Sequence, residues 1–349
     1  MIFCNFREFQ GGVKIANIKD IAKEAEVSVA TVSHVINRSR YVSDKLINRV
    51  EQAMKDLDYQ PNLLAGSLRK KKTGTIGLII PDSSNMLFAD ISKSFEDMFF
   101  SKNYNIIVCN SAYDINREIE HLKNLRSKMV DGILMIPATR EGGHIEKIST
   151  AGIPIVLLDR KIPGLEVDYV LADNYKGGFE AGKYLVSLGH TNIGYIDRIY
   201  PHSHSLDRKK GFESALAGSG ISLEEDNIVK GGFTYDDGAG AVKKLLEKNR
   251  KITAVFSFND INALGAIRGL ADLKCRVPDN ISIIGNDDIY LSSIYVPRLT
   301  TVHYPVKEIV KEAGKILLAR IKEPIFKKSK EILIQTELVI RESTAVIIK

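Results

Sequence analysis

Apolar residues recur in two different rhythms along this chain. Over the first sixty residues the spacing is helical. Ile18, Ile21, Ala22 and Ala25 form one apolar face, and Asn17 is placed to cap it. Glu26 and Val27 fill a turn. Ser28 then caps a second run whose Val32, Val35 and Ile36 point inward, leaving Val29, Ala30, Thr31, Ser33, His34 and Asn37 on or near the outer face. A third helix, capped by Ser43, carries Leu46, Val50, Ala53, Met54 and Leu57 along one side and ends near Tyr59. Two short helices joined by a tight turn, the second with a small and polar outer face, describe a helix-turn-helix whose recognition helix can approach base edges in a major groove. An ordinary helical hairpin packed on a core is the plainer alternative.

From Thr75 the rhythm changes to short, near-continuous apolar runs: TIGLII (75–80), NIIVC (105–109), GILMI (132–136), PIVLL (154–158), NIGYI (192–196), AVFSF (254–258) and ISIIG (281–285). Such runs suit parallel strands buried on both faces, and amphipathic stretches separate them. The expected architecture is an N-terminal all-α head followed by an α/β body of two doubly wound subdomains. Residues 1–15 read as a flexible tail, with an over-extended start site as the alternative. Residues 16–60 form the head, 61–74 a hinge, and 75–349 the body. Within the hinge, Pro61 breaks the preceding helix and Asn62 can cap a short one over Leu63 to Arg69. That helix is too short to be stable alone, and Gly66 weakens it by about 1 kcal/mol relative to Ala. The segment is expected to be mobile until something orders it.

Charge is distributed unevenly. Residues 1–74 hold 13 Lys or Arg against 8 Asp or Glu, whereas the rest of the 349-residue chain holds 36 against 35. Nearly all of the net +6 therefore lies on the first fifth, the footprint of a DNA-binding head on a near-neutral body. No apolar run is long enough to span a bilayer. Cys4, Cys109 and Cys275 have no metal-ligand spacing and read as reduced thiols, which suits the cytoplasm. No GxGxxG or Walker pattern is present, so no cofactor is expected. His202 and His204 in YPHSHSLD lack a third ligand at useful spacing and read as an exposed loop rather than a metal site.

Ligands of open α/β sheets bind beyond the carboxyl ends of the strands. Here those ends carry Asp82 to Asn85, Asn110, Asp159 with Arg160, Asn259 with Asp260, and Asp287 with Asp288. Carboxylate, amide and guanidinium groups converging on a cleft match the alternating donors and acceptors of a polyhydroxylated ligand. Phe88 and Phe233 can cover its apolar faces. Any one such Asp could equally be a helix cap or turn residue.

The run SVATVSHVIN resembles the LacI family of bacterial transcription regulators, especially its purine and ribose repressor branch. The blocks PDSSNMLFADI, VDGILMIP, VLLDR, ADNYKGGFEAGKYLVSLGHTNIGYI, FNDINALGAI, VPDNISIIGNDD and PRLTTV are similar to that family's effector domain, which has the periplasmic-binding-protein type I fold. The resemblance covers residues 16–345. It implies a homodimer on a pseudo-palindromic double-stranded DNA operator. It implies DNA contacts from Ser28, Val29, Ala30, Thr31, His34 and Asn37. It also implies a hinge helix, matched by Ala65, Gly66, Ser67 and Leu68, in which Leu68 wedges into the minor groove and Arg69 lies beside it. A packing role for Leu63, Leu64 and Leu68 is the alternative. For the ligand it implies Asn85, Phe88, Asp159, Arg160, Arg208, Phe233, Asn259 and Asp287. This set is similar to the pocket of ribose-binding proteins, with Leu87 and Tyr304 as departures that leave another pentose, a hexose or a sugar acid open.

The resulting expectation is a DNA-binding transcriptional regulator, a repressor controlled by a sugar-like effector, ribose or another pentose being favoured, that releases DNA when the sugar binds. A purine corepressor is the alternative within the family. An enzyme using Asp159 and Asp287 as a glycosidase pair is a different class, which the head does not call for. A secreted sugar-binding protein would lack the head and carry an export signal.

Overall fold

The computed structural model describes residues 16–37, 39–59, 72–199, 203–323 and 328–347. The expectations for the tail, for Leu63, Leu64, Gly66, Leu68 and Arg69 of the hinge, and for His202 concern residues outside this set. The chain divides into two compact units, Met1–Thr73 and Gly74–Lys349.

The first unit holds helices Ile18–Glu24, Val29–Asn37 and Asp44–Asp56. The first is fixed by a capping box: the Asn17 side chain accepts from the Lys19 N–H at 2.8 Å, and the Asn17 N–H donates to Asp20 at 2.9 Å. Glu26 turns the chain with φ +49°. Ser28 Oγ accepts from the Thr31 N–H at 3.1 Å and so opens the second helix. Ser43 departs from expectation: it stands at the N-cap of the third helix, but its side chain makes no capping bond. Ile21, Ala22, Ala25, Val32, Val50 and Ala53 are buried together as the unit's own core.

The second unit contains two six-stranded sheets. The first lobe is built on β1 (Thr75–Ile80), β2 (Asn105–Asn110), β3 (Gly132–Met135), β4 (Ile155–Leu158), β5 (Asp168–Ala172) and β11 (Glu331–Ile334), in the order β11-β5-β4-β3-β1-β2. The second is built on β6 (Ile193–Arg198), β7 (Ile228–Gly231), β8 (Ala254–Ser257), β9 (Ser282–Asp287), β10 (Thr300–His303) and β12 (Glu337–Val339), in the order β12-β10-β9-β8-β6-β7. All pairings are parallel except β10 with β12. The seven expected strands correspond to β1–β4, β6, β8 and β9. One expectation fails at β2, which lies at a sheet edge and is partly exposed rather than buried on both faces.

The chain passes between the lobes three times: at Asp173–Asn174 after β5, at Tyr304–Pro305 after β10, and at Gln335–Thr336 after β11. Hydrogen bonds tie the first and third passages together. Thr336 Oγ1 donates to the Asp173 carbonyl at 2.9 Å, Gln335 Nε2 donates to Asp173 Oδ2 at 3.1 Å, and Lys176 Nζ donates to Gln335 Oε1 at 2.9 Å.

In the second lobe, helices Asn174–Ser187 and Ser203–Ala217 touch backbone to backbone. A Cβ on Gly178 would overlap the Arg208 carbonyl, and one on Gly211 would overlap the Tyr175 carbonyl. Only glycine permits this approach. Gly178→Ala is therefore expected to push the helices apart and destabilise the protein by about 1–3 kcal/mol, as overpacking does. Gly143→Ala, where an added Cβ meets nothing within 4 Å, is the matched control. Equal urea midpoints for the two variants would contradict this packing.

Candidate functional site: a DNA-reading helix and an interlobe cleft

On the head, the second helix presents Val29, Ala30 and Asn37 to solvent, with Thr31, Ser33 and His34 partly exposed and Val32 buried. Ser28 is exposed beside them. The Asn37 amide donates back to the Ser33 carbonyl at 2.9 Å. His34 Nδ1 lies 2.8 Å from Ser39 Oγ, which fixes the ring and leaves Nε2 available. The exposed face therefore offers methyl groups, hydroxyls and one oriented imidazole, all short enough for close approach to base edges.

On the body, the carboxyl ends of the two sheets face one another. Asp159 and Arg160 follow β4, while Asp287 ends β9 and Asn259 follows β8. Several contacts cross between lobes. The ring of Tyr113, after β2, stacks on Phe233, after β7, at 4.4 Å and 12°. Asp159 Oδ2 lies 3.8 Å from His204 Nδ1.

Three arginines are buried here, each 4 % exposed or less. Arg160 donates through Nη1 to the Pro137 carbonyl, and its Nε lies 3.5 Å from Asp159. Arg208 donates to the Phe258 carbonyl and, at 2.6 Å, to Asn174 Oδ1. Arg198 lies 5.0 Å from the ring centres of both Tyr113 and Phe233, with Nη1 3.3 Å from His204 Nε2. Burial and the nearby Arg160 push the Arg198 guanidinium down to about 9. Burial pushes the Asp287 carboxyl well up, against the pull of Arg208. It also raises the Tyr304 hydroxyl, an effect reinforced by Asp159 and Asp287. Arg160 Nη2, Arg198 Nε and Nη2, Arg208 Nε and Tyr304 Oη have no hydrogen-bond partner among the described residues. Each such buried group costs about 1–3 kcal/mol unless something else satisfies it.

The backbone is also unusual here. Ten described residues other than glycine have positive φ. Glu26, Asp58, Asn103, Met129 and Lys274 simply close helices. The other five, Ala112, Tyr113, Asp159, Asp287 and Asp288, cluster at the strand ends beside the cleft. Strain of this kind concentrates at binding sites.

Not every residue named from the sequence contributes in the same way. Phe88 is buried in the core, and Asn85 and Asn259 have their side-chain oxygens engaged as helix caps, accepting from the Leu87 and Asn262 N–H groups. Asp260 lies beneath the site, fully buried, where it accepts from the Ile289 N–H at 2.9 Å and from Ser292 and Thr301 hydroxyls at 2.6 and 2.5 Å. It anchors the loop that follows Asp287. Sequence reading missed Arg198 by ending its strand at Ile196, two residues early. It passed over Tyr113 because β2 was read only to Cys109. It also misplaced His204, which is not on an exposed loop: it lies in helix Ser203–Ala217, buried between Asp159 and Arg198. Among the described residues no cluster suited to a metal ion occurs, and no helix is long and apolar enough to cross a membrane.

A small helical unit with an exposed reading helix, joined to a two-lobed ligand-binding body, defines a ligand-responsive DNA-binding regulator. Residues 17–62 match the description "Bacterial regulatory proteins, lacI family", and residues 183–344 match a periplasmic binding protein-like domain. The HTH-type transcriptional regulator DegA of Bacillus subtilis (strain 168) is 36% identical over 94% of this chain and 98% of its own length. The HTH-type transcriptional repressor PurR of Mannheimia succiniciproducens is 36% identical with the same coverage. Among solved structures, a LacI family transcriptional regulator from Enterococcus faecium with bound ribose superposes with a TM-score of 0.71 at 31% identity, covering 78% of this chain and 99% of that one. The chain belongs to the LacI family and is a DNA-binding transcriptional regulator. These relatives are regulators rather than enzymes.

Asp288, beside the site, points away from the cleft and is held at 2.9 Å by His303 Nδ1 and at 2.5 Å by Arg341. The Asp288 hydrogen bond raises the His303 imidazole above its ordinary 6.5, helped by Glu337 and Glu308. This bond therefore stabilises the fold fully below pH 6.5 and fades as the pH rises through the higher folded-state value. His303→Gln is expected to lower the urea midpoint most below pH 6.5 and least above that titration. A deficit independent of pH would contradict it.

Proposed function

We propose that this protein is a cytoplasmic repressor, a homodimer whose two heads read the half-sites of a pseudo-palindromic operator, and that a small sugar-like effector in the interlobe cleft controls its DNA affinity. The observation that carries the effector reading is the convergence of Asp159, Arg160, Arg208 and Asp287 from opposing sheets onto one cleft, with buried donors still unsatisfied. Arginine N–H groups suit ring and hydroxyl oxygens, and carboxylates accept hydroxyl protons. The Enterococcus faecium relative with bound ribose, and a CelR structure described as a cellobiose complex, support a sugar in this place. The aromatic rings of Tyr113 and Phe233 at the cleft favour a second reading, a flat purine stacked against one of them, in line with the similarity to PurR.

Residues 61–74 serve as the hinge, with Leu68 and Arg69 at the minor groove. Ligand binding closes the lobes, moves the two hinge segments of the dimer relative to one another, and releases DNA. A ligand can shift DNA affinity only by the degree to which it prefers one arrangement.

Two outcomes are expected. His34→Ala, which removes the imidazole oriented by Ser39, relaxes base preference at one position of each half-site, at about 1–3 kcal/mol per half-site. Operator-variant titration reads this directly, and an unchanged preference refutes the role. A saturating sugar weakens operator binding in the wild type, whereas Asp287→Ala abolishes the response by stranding its partners. A purine that tightens binding where no sugar has any effect would replace the sugar reading with the purine one and reverse the sign.

A further inference from the structure

The charges around the cleft do not balance. Asp159 faces Arg160 at 3.5 Å and His204 at 3.8 Å, while Asp287 lies in the field of Arg208. Two carboxylates thus answer two guanidiniums. Arg198 is a third; Asp159 favours its charge from a distance, but no carboxylate makes a close ion pair with it among the described residues. Its chain neighbour Asp197 points elsewhere, with one oxygen 2.5 Å from Lys230 Nζ and the other accepting from the Arg198 backbone N–H. Asp82, at the mouth, has one carboxylate oxygen occupied by the Ser84 N–H and hydroxyl. What Arg198 does touch is neutral: two aromatic faces and His204 Nε2. Because that nitrogen accepts from Arg198, the imidazole proton sits on Nδ1, towards Asp159. His204 therefore brings no compensating negative charge.

Arg198 is 4 % exposed, and its Nε and Nη2 have no partner among the described residues. Arg160, with a second unpartnered Nη2, shares the Tyr113 ring, its guanidinium carbon 5.6 Å from the centre. Burying an uncompensated cation is costly, and a neutral hydroxyl can satisfy a hydrogen bond without answering the charge. A carboxylate or phosphate answers both, and the guanidinium fork matches either one in two-point contact.

We propose that the effector is an anionic sugar, its carboxylate or phosphate received by Arg198 with Arg160 alongside, while Asp159, Asp287 and Arg208 hold its hydroxyls. The proposal rests on the sugar reading above and narrows it from a neutral pentose to a charged one. Arg198 is then the residue that tells a sugar acid or sugar phosphate from its neutral parent.

Calorimetric titration of the full-length protein tests this with matched ligands: ribose against ribose 5-phosphate, and glucose against gluconate, glucuronate and glucose 6-phosphate. Inorganic phosphate and acetate report on the anion alone. At least one anionic sugar is expected to bind about tenfold or more tightly than its neutral parent. The sugar acids and the phosphates identify which anion is meant. In Arg198→Gln the ratio of anionic to neutral affinity collapses towards one, and Arg198→Lys restores part of it. If the glutamine variant does not fold, the wild-type ratios decide. A neutral sugar that binds as well as its charged forms overturns the proposal but leaves the sugar reading intact, as does an anionic preference that survives in Arg198→Gln. If no sugar of either kind binds, both fall.

Discussion

Two sheets that face each other across a cleft have to be joined by chain that can bend without unfolding, and here this happens at three places, two of them drawn together around Asp173. Its carbonyl and carboxylate accept from Thr336 and Gln335 of another passage, and Lys176 closes the group from the second lobe. Rotation of one lobe against the other must pass through these few residues, as in other hinged domains. They are not separate from the ligand site. Asn174, the first residue of the second lobe, accepts from Arg208, and Tyr304, at the second passage, is buried beside Asp159 and Asp287. A ligand that pulls on Arg208 therefore pulls on the hinge directly, without a long relay through the core.

Rigid packing makes this coupling effective. Arg208 sits on a helix held against its neighbour by glycine-permitted backbone contact, at the level of its own carbonyl. Asp287 is followed by a loop anchored beneath by buried Asp260 and behind by the bonds to Asp288. Groups held this firmly discriminate by position, since little side-chain freedom is left to lose on binding.

Much of this was legible in the sequence. Helical periodicity with Asn17 and Ser28 as caps located the first two helices of the head, and seven apolar runs located seven of the twelve strands. Of the five strands that escaped notice, three lack the signal for physical reasons. Thr300 and Thr301 of β10 are polar yet buried, since their hydroxyls reach Thr344 and Asp260. β11 and β12 are short and half exposed, so no continuous apolar run marks them. In the cleft, residues standing just past apolar strands were found by their position. Arg198 and His204 were not, because one closes a strand that runs past its apolar part and the other is buried by a contact from the opposite lobe. Ser43 occupies a capping position without capping, a reminder that residue type licenses a bond without forming it.

The positive φ angle at Asp159 bears on how such a pocket can change over generations. Near its +62°, glycine, asparagine and aspartate are tolerated, while larger or β-branched residues are strained. Asp287, at +123°, lies outside that well. The Asp159 carboxylate is therefore free to become an amide through a single-base change in the codon, with the main chain undisturbed. Most other replacements would have to rebuild the turn. Arg160, Arg198 and Arg208 carry no such backbone restriction. New ligand preferences should accordingly arise first on the cationic side of the cleft, while Asp159 drifts only between acid and amide.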